Sequence, residues 1–203
     1  MIKLGVLISG TGSNLIAIQE AIERGELDAS IELVISSRPN AKGLTRAHEH
    51  GLKTMALSKE LYDLGAQAAD EIIASQMMEA GVDFIVMAGY MRKVTQPILQ
   101  GFPNRVINIH PALLPSFQGA HAIEEAWLKG VKVAGVSIHF ANEVYDQGPI
   151  IAQRAFDVPE GVTLEELESL IHEVEHKLYP EVLQKLAEDR VRIMPDNTVR
   201  ILD

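Results

Sequence analysis

Residues 2–14 of this 203-residue chain read IKLGVLISGTGSN, and this stretch decides the fold. A short apolar run enters two glycines and then a helical pattern over residues 14–24. A strand that leads into a helix through a glycine turn is typical of parallel sheets. The start of such a helix points free N–H groups at one spot, which suits a phosphate. We therefore expect an anion site at Gly12, Ser13 and Asn14, with Ser13 or Asn14 also capping the helix.

The glycine turn differs from two common phosphate-binding loops. The third glycine of the dinucleotide fingerprint would fall at position 15, where the chain has Leu15. No Gly-Lys-Ser/Thr follows, as the loop of nucleoside triphosphatases requires. A tight turn with a helix cap and no ligand is the alternative, but the position after the first strand favours phosphate.

Apolar runs alternate with helical patterns along the rest of the chain. Non-alternating apolar strands predict a single α/β domain, with a Rossmann-like, mainly parallel sheet covered by helices on both faces. The last two sheet strands have no helix between them, so we expect them to pair antiparallel or to diverge. Residues 191–203 read as a peripheral hairpin. The predicted strands are 2–9, 31–36, 53–57, 84–88, 106–110, 133–140 and 149–156, and the predicted helices are 14–24, 42–50, 65–80, 123–129 and 164–188.

Composition narrows the classes of function. Apolar residues make up 47% and charged residues 23%, as in globular proteins. The chain has no cysteine, which excludes disulfides, a thiolate nucleophile and cysteine-bound metal. The longest apolar stretch, residues 84–91, is too short for a membrane helix, and no signal peptide is evident, so we expect a cytoplasmic protein. The net charge of −10 disfavours nucleic acid, and an anionic ligand must be small and held by local dipoles.

Two polar side chains end the strand over residues 106–110. Asn108 and His110 are two positions apart and therefore project from the same face. Pro111 stops the strand, so that His110 lies at the rim of the sheet. An amide beside an imidazole suits oxyanion stabilisation and proton transfer. A surface or capping histidine is the alternative.

Two loops that follow strands extend this candidate site. Asp146 lies in Asp-Gln-Gly-Pro, ordinarily a turn, yet its carboxylate is the missing partner for His110. Residues 88–92, Ala-Gly-Tyr-Met-Arg, follow an apolar strand. They form either a plain strand-to-helix turn or a stretch of exposed backbone for a planar ligand.

Residues 172–176, His-Glu-Val-Glu-His, match the H-E-x-x-H pattern of zinc metalloproteases. We reject a metal site because Pro180 follows at once and no third ligand is evident. Thr163 and Glu166 predict a capping box that starts the helix. The polar flank is expected to face a cleft or solvent. The core stripe comprises Leu164, Leu167, Ile171, Val174 and Leu178, and the polar flank comprises His172, Glu175, His176 and Tyr179.

Together these segments resemble the phosphoribosylglycinamide formyltransferase family, from the start of the chain to about Leu186. The most specific part is Asn-Ile-His-Pro at residues 108–111 with Leu-Leu-Pro at 113–115, followed by Asp146. The resemblance implies a formyltransferase fold with a cis bond between Leu114 and Pro115. It also implies transfer of the formyl group of 10-formyltetrahydrofolate to the amine of 5-phosphoribosylglycinamide, in purine biosynthesis.

The resemblance further implies roles for individual residues. Residues 1–100 would bind the phosphate and ribonucleotide, and residues 101–190 would bind folate and carry the chemistry. No metal is needed, because the formyl group is already activated. The partners are small molecules, neither nucleic acid nor membrane, and a homodimer is left open. The implied catalytic residues are Asn108, His110 and Asp146; the ribonucleotide contacts are Gly12, Ser13, Asn14, His172, Glu173, Val174 and Glu175; the folate contacts are Met91, Arg92, Lys93, Val94, Asn108, Asn142, Glu143, Val144, Tyr145 and Asp146.

The chain departs from the family pattern at a few positions. Ala112 stands where Ser is frequent, and Gln118 stands where Pro is frequent. Residues 62–69 lack the basic residue that some relatives direct at the folate tail. The last departure concerns binding of the polyglutamate tail rather than the chemistry.

Three other functions are weighed against this one. Methionyl-tRNA formyltransferase shares the Asn/His/Asp set, but it is expected to carry a further C-terminal domain, and the acidic charge disfavours tRNA. Formyltetrahydrofolate hydrolase is expected to carry an N-terminal regulatory domain. A non-catalytic nucleotide-binding module would use the glycine turn alone and would not need Asn108 or His110.

Overall fold

The computed structural model describes residues 1–202 and contains nine strands and seven helices within that range. In chain order the elements are β1 (Ile2–Ile8), α1 (Ser13–Glu23), β2 (Ala29–Ser36), α2 (Lys42–Glu49), β3 (Thr54–Ala56), α3 (Lys59–Asp63), α4 (Ala66–Glu79), β4 (Phe84–Met87), α5 (Gln96–Gly101), β5 (Val106–His110), α6 (Ala122–Lys129), β6 (Val133–Phe140), β7 (Ile150–Asp157), α7 (Leu164–Ala187), β8 (Val191–Ile193) and β9 (Val199–Ile201).

Seven strands form the central sheet, in the order β3-β2-β1-β4-β5-β6-β7. The first five of these are parallel, which confirms the predicted mainly parallel sheet. β6 pairs antiparallel with β5, and β7 pairs antiparallel with β6. The short link between β6 and β7 permits only that direction, because a parallel return needs a crossover of about a dozen residues. The strand order reverses between β1 and β4, where open α/β sheets bind their ligands.

Side chains alternate between two apolar layers, one on each face of the sheet. Val6 and Val86 point into the layer that holds α1 and α7. Leu7 and Ile85 point into the layer that holds α4 and α5. The predicted covering of both faces is therefore confirmed, and it explains why these strands show no alternation of polar and apolar residues.

Two short helices were not predicted from the sequence. α3 spans five residues and is capped by the side chain of Ser58, which accepts a hydrogen bond from the Leu61 N–H. α5 spans six residues and carries Pro97 in its first turn. Neither is long enough to display a helical period of apolar residues. In addition, β1 ends at Ile8 rather than at Ser9.

Helix α7 begins with the predicted capping box. The Thr163 side chain accepts a hydrogen bond from the Glu166 N–H, and the Glu166 side chain returns to the Thr163 N–H. Pro180 lies inside the helix, which continues to Ala187. The prediction that Tyr179 belongs to a polar flank facing a cleft or solvent is wrong. Tyr179 is fully buried, and its hydroxyl lies 3.0 Å from the Ile107 carbonyl of β5, to which it donates.

The remaining predictions for the fold concern the end of the chain and one peptide bond. β8 and β9 form the predicted hairpin, and Val191 and Val199 pack against the core on the α7 face. The bond between Leu114 and Pro115 is cis, as the family resemblance implies. Within residues 1–202, no helix combines the length and the apolar character needed to cross a membrane.

Replacement of Thr163 by Ala tests the capping box. Because the N3 amide then loses its acceptor, the free energy of unfolding should fall by about 1 kcal/mol. Urea denaturation followed by circular dichroism measures this change. Ser169→Ala is the matched control, since that exposed hydroxyl bonds only to the Glu165 carbonyl within the same helix. A loss as large in the control as in Thr163→Ala would contradict the capping role.

Candidate active site

A cavity of about 530 Å³ lies beyond the carboxyl ends of β1, β4 and β5. Three loops line it, namely residues 10–14 after β1, residues 88–91 after β4 and residues 108–111 at the end of β5. His172 and Glu175 of α7 close one side. Three separate features of the sequence therefore meet in one place: the glycine turn, the loop after β4, and the end of β5 with Asn108 and His110.

The glycine turn has the geometry of an anion site. Gly12 has a left-handed φ of 72°, and a Cβ atom there would lie 2.8 Å from the Cα atom of Gly43. The expectation that Ser13 or Asn14 caps the helix is wrong, because Gly12 is the N-cap residue and no side chain caps α1. The first main-chain bond runs from the Ile16 N–H to the Gly12 carbonyl. The N–H groups of Ser13 and Asn14 precede it and remain available to an anion.

A buried carboxylate links α7 to the glycine turn. The Asn14 side chain donates to Glu175 Oε2 at 2.9 Å, and His172 Nδ1 donates to the same oxygen at 2.8 Å. The hydrogen bond to the Glu175 carboxylate raises the pKa of His172. Within residues 1–202 no group donates to the second carboxylate oxygen, Oε1, so Glu175 can accept a hydrogen bond from a ligand.

The other residues of the H-E-x-x-H match lie elsewhere. Glu173 is exposed and Val174 packs against the core, so neither side chain lines the cavity, because only helix positions three or four apart share a face. The rings of His172 and His176 stack with centroids 6.0 Å apart. Burial lowers the pKa of His176. The described part of the chain holds no group of three or more His, Cys, Asp or Glu side chains placed to bind a metal ion.

His110 and Asp146 lie together, although they are far apart in sequence. His110 Nδ1 is 3.4 Å from Asp146 Oδ2, and both side chains are buried. The Nε2 atom of His110 donates to the Phe117 carbonyl at 2.7 Å. Asp146 Oδ2 also accepts a hydrogen bond from the Gly119 N–H. These contacts fix the imidazole so that Nδ1 is the nitrogen beside the carboxylate.

A second histidine, His139, lies between Asn108 and Asp146. Its Nδ1 donates to the Phe140 carbonyl, so its Nε2 accepts the hydrogen bond from the Asn108 amide at 3.1 Å. The same Nε2 lies 3.8 Å from Asp146 Oδ1. Burial lowers the pKa of His139, which keeps the ring neutral at pH 7 and able to accept. Asn108 and Asp146 are therefore linked through His139, which contacts both, rather than by direct contact.

Sequence reasoning missed His139, although a signal was present. Ser137 and His139 are the only polar residues of β6, and they are two positions apart. In the antiparallel register Asn108 pairs with His139, and His110 pairs with Ser137. Polar residues inside a buried strand need partners. The partners of Ser137 and His139 could not be predicted from the sequence, because the register between β5 and β6 depends on contacts between distant parts of the chain.

Most of the residues assigned to folate line a second, small cavity of about 20 Å³ that shares Asn108 and Tyr145 with the larger one. Met91 lines the large cavity instead. The Arg92 guanidinium lies over the ring of Tyr62, and the Glu143 side chain accepts a hydrogen bond from Gln96. The assigned residues that line the small cavity are Lys93, Val94, Asn108, Asn142, Val144, Tyr145 and Asp146.

Comparison with known proteins identifies the family. Residues 2–183 match the family model described as formyl transferase. Phosphoribosylglycinamide formyltransferase of Bacillus subtilis (strain 168) is 41% identical over 186 residues, which are 92% of this chain and 95% of that protein. The crystal structure of glycinamide ribonucleotide transformylase 1 from Symbiobacterium toebii covers 100% of this chain, and this chain covers 95% of it, with a TM-score of 0.96 and 44% identity. The crystal structure of phosphoribosylglycinamide formyltransferase from Anaplasma phagocytophilum also covers 100% of this chain, and this chain covers 95% of it. Its TM-score is 0.91 and its sequence identity is 36%. The chain therefore belongs to the formyl transferase family, among its phosphoribosylglycinamide formyltransferases.

Proposed function

We propose that this protein transfers the formyl group of 10-formyltetrahydrofolate to the amine of 5-phosphoribosylglycinamide, a step of de novo purine biosynthesis. The observation that carries the proposal is the position of Asn108, which lines both cavities, with His110 and Asp146 beside it. A ribonucleotide in the large cavity and a folate bound along the residues around the small one would meet at this amide. The names and the extensive similarity of the relatives support the same reaction.

The ribonucleotide occupies the large cavity in this proposal. Its phosphate accepts hydrogen bonds from the N–H groups of Gly12, Ser13 and Asn14, where the helix dipole favours an anion despite the net charge of −10. A ribose hydroxyl donates to Oε1 of Glu175, whose other oxygen is held by Asn14 and His172. Of residues 172–175, His172 and Glu175 are the two whose side chains make or support this contact.

The folate cosubstrate binds across residues 91–94 and 142–146 and supplies an already activated formyl group. The glycinamide nitrogen attacks the formyl carbon, a C–N bond forms, and the carbonyl oxygen becomes an oxyanion. One N–H of the Asn108 amide is held by His139, and the other donates to this oxyanion. The bond to the folate nitrogen then breaks as that nitrogen gains the proton that the amine loses.

His110 carries the proton between the two nitrogens, directly or through a water molecule held by Asp146. The Asp146 carboxylate provides the counter-charge when the imidazole is protonated at Nδ1. Proton transfer by a positioned side chain contributes about 10²- to 10⁴-fold to a rate. Both residues are almost fully buried, and burial strengthens their electrostatic effect.

Other parts of the proposal concern the organisation of the chain and its setting. Both halves of the chain line the large cavity, and Glu175 brings a ribonucleotide contact from the second half. The division of labour between residues 1–100 and 101–190 therefore stays a prediction. A cytoplasmic location and a homodimer stay predictions as well.

Replacement of His110 by Asn should lower kcat for formyl transfer by about 100-fold or more, because the proton carrier is lost. Asp146→Asn should have a similar effect. Asn tolerates the left-handed backbone at position 146, where φ is 54°, so the change is confined to the charge. The measurement is the rate of formyl transfer from 10-formyltetrahydrofolate to 5-phosphoribosylglycinamide, with the KM for the ribonucleotide expected within about threefold of wild type.

His48→Asn is the matched control for this pair, since His48 is exposed on α2 outside the cavities. It should leave kcat unchanged. Full activity of His110→Asn would contradict its role as the proton carrier. Wild-type protein that binds the ribonucleotide but transfers no formyl group would instead support a binding module that uses the glycine turn alone. The same assay with water or methionyl-tRNA as the acceptor separates hydrolysis and tRNA formylation from the proposed reaction.

Replacement of Gly12 by Ala should raise the KM for the ribonucleotide by about tenfold or more, because the turn must open to admit the methyl group beside Gly43. The KM for 10-formyltetrahydrofolate should change less than about twofold. Steady-state kinetics with each substrate varied in turn gives both constants. Gly25→Ala is the control for backbone strain, since Gly25 has a similar φ of 73° and no atom within 4 Å of the new Cβ. Equal loss of affinity for both substrates would contradict separate subsites.

Removal of metal ions should leave the activity intact. His172 Nδ1 is engaged by Glu175, and the described residues offer no third ligand beside His172 and His176. Dialysis against a chelator, followed by the formyl-transfer assay and metal analysis, tests this. Zinc present at one atom per chain and required for turnover would restore the metalloenzyme interpretation of residues 172–176.

A further inference from the structure

A stacked pair of side chains lies beside the folate subsite. The Arg92 guanidinium lies 3.5 Å from the centre of the Tyr62 ring. The Tyr62 hydroxyl is hydrogen-bonded to the hydroxyl of Tyr90 at 3.1 Å, and Tyr90 is buried and lines the large cavity. One aromatic ring therefore joins α3, a helix that the sequence did not reveal, to the loop after β4.

The stack leaves the hydrogen-bonding edge of the guanidinium unused. Contact with an aromatic ring uses the face of the planar group, whereas its N–H donors lie in the plane. Within residues 1–202 Arg92 takes part in no hydrogen bond and no salt bridge, unlike Arg154 and Arg192, which each pair with a carboxylate. Arg92 thus presents an oriented pair of donors with no acceptor from the protein.

The position of Arg92 in the chain matches one end of the cosubstrate. Lys93 and Val94 line the small cavity, and Met91 lines the large one. The cosubstrate carries a glutamate tail with free carboxylates at the end remote from the formyl group. Planar guanidinium groups bind carboxylates through two parallel hydrogen bonds. Residues 62–69 contain no Lys or Arg, so this segment contributes a ring and not a charge.

We propose that Tyr62 is a positioning residue that makes the folate subsite specific for a cosubstrate with an anionic glutamate tail. Its ring holds the Arg92 guanidinium so that the N–H edge meets a tail carboxylate, and the hydroxyl of Tyr90 holds the ring. This inference rests on the proposed function.

The test compares two cosubstrates that differ only in the tail, 10-formyltetrahydrofolate and 10-formyltetrahydropteroate, which lacks the glutamate. Tyr62→Leu removes the ring and should raise the KM for the first by about three- to tenfold, with kcat within about twofold. The KM for the second should not change. Tyr62→Phe keeps the stack but loses the hydrogen bond to Tyr90, so its KM for the first cosubstrate should lie between those of wild type and Tyr62→Leu. A general loss of structure would instead affect both cosubstrates and kcat.

Arg92 variants test the coupling between the two side chains. Arg92→Gln should raise the KM for the glutamylated cosubstrate, and adding Tyr62→Leu to it should raise the KM no further. Arg92→Lys keeps the charge but not the planar edge, so its KM values should match those of Tyr62→Leu. If Tyr62→Leu does not fold, Arg92→Lys provides the test of tail recognition. Leu64→Ala is the control, since Leu64 is 76% exposed in the adjoining segment, and its kinetics should match wild type.

Two outcomes would overturn the inference. One is an equal rise in KM for both cosubstrates in Tyr62→Leu, and the other is full additivity of the Tyr62 and Arg92 changes. Wild-type protein that transfers no formyl group would overturn the proposed function as well. Active wild-type protein with no tail-dependent effect of Tyr62→Leu or Arg92→Lys would overturn this inference alone.

Discussion

The antiparallel register between β5 and β6 is the constraint on which the site depends. It sets His139 opposite Asn108 and Ser137 opposite His110. A shift of one residue would turn every side chain of β6 to the other face. Ser137 then fixes the chain that follows His110, because its hydroxyl donates to the Ala112 carbonyl and accepts the Leu114 N–H. One strand pairing therefore orients the amide, the imidazole and the loop beside them.

The sequence predicted the layout of the sheet and the location of the site better than it predicted their details. Apolar runs between glycines and helical patterns are local signals, and they were sufficient for the parallel strands and for α7. Tyr179 was misplaced because its hydroxyl bonds to the Met87 and Ile107 carbonyls of β4 and β5, partners that lie far away in sequence. His139 was missed because its importance depends on a strand that lies far away in sequence. Glu173 was included with its neighbours, although its side chain faces solvent.

In the proposed complexes, the two anionic ends of the substrates meet different kinds of hydrogen-bond donor. The glycine turn offers main-chain N–H groups, which carry no net charge. The stacked Arg92 offers a side-chain edge, which depends on a neighbouring ring. Neither requires a favourable electrostatic field from the whole molecule, so both proposed contacts are compatible with the net charge of −10. Affinity in such a site comes from a few oriented dipoles at short range.

The hydrogen bond between Asn14 and Glu175 joins residues 161 positions apart. During synthesis the glycine turn leaves the ribosome 161 residues ahead of Glu175. Until Glu175 emerges, Asn14 lacks its carboxylate partner, and the cavity lacks the wall that α7 provides. The cavity proposed for the ribonucleotide is therefore incomplete in a nascent chain until α7 has been synthesised and has docked.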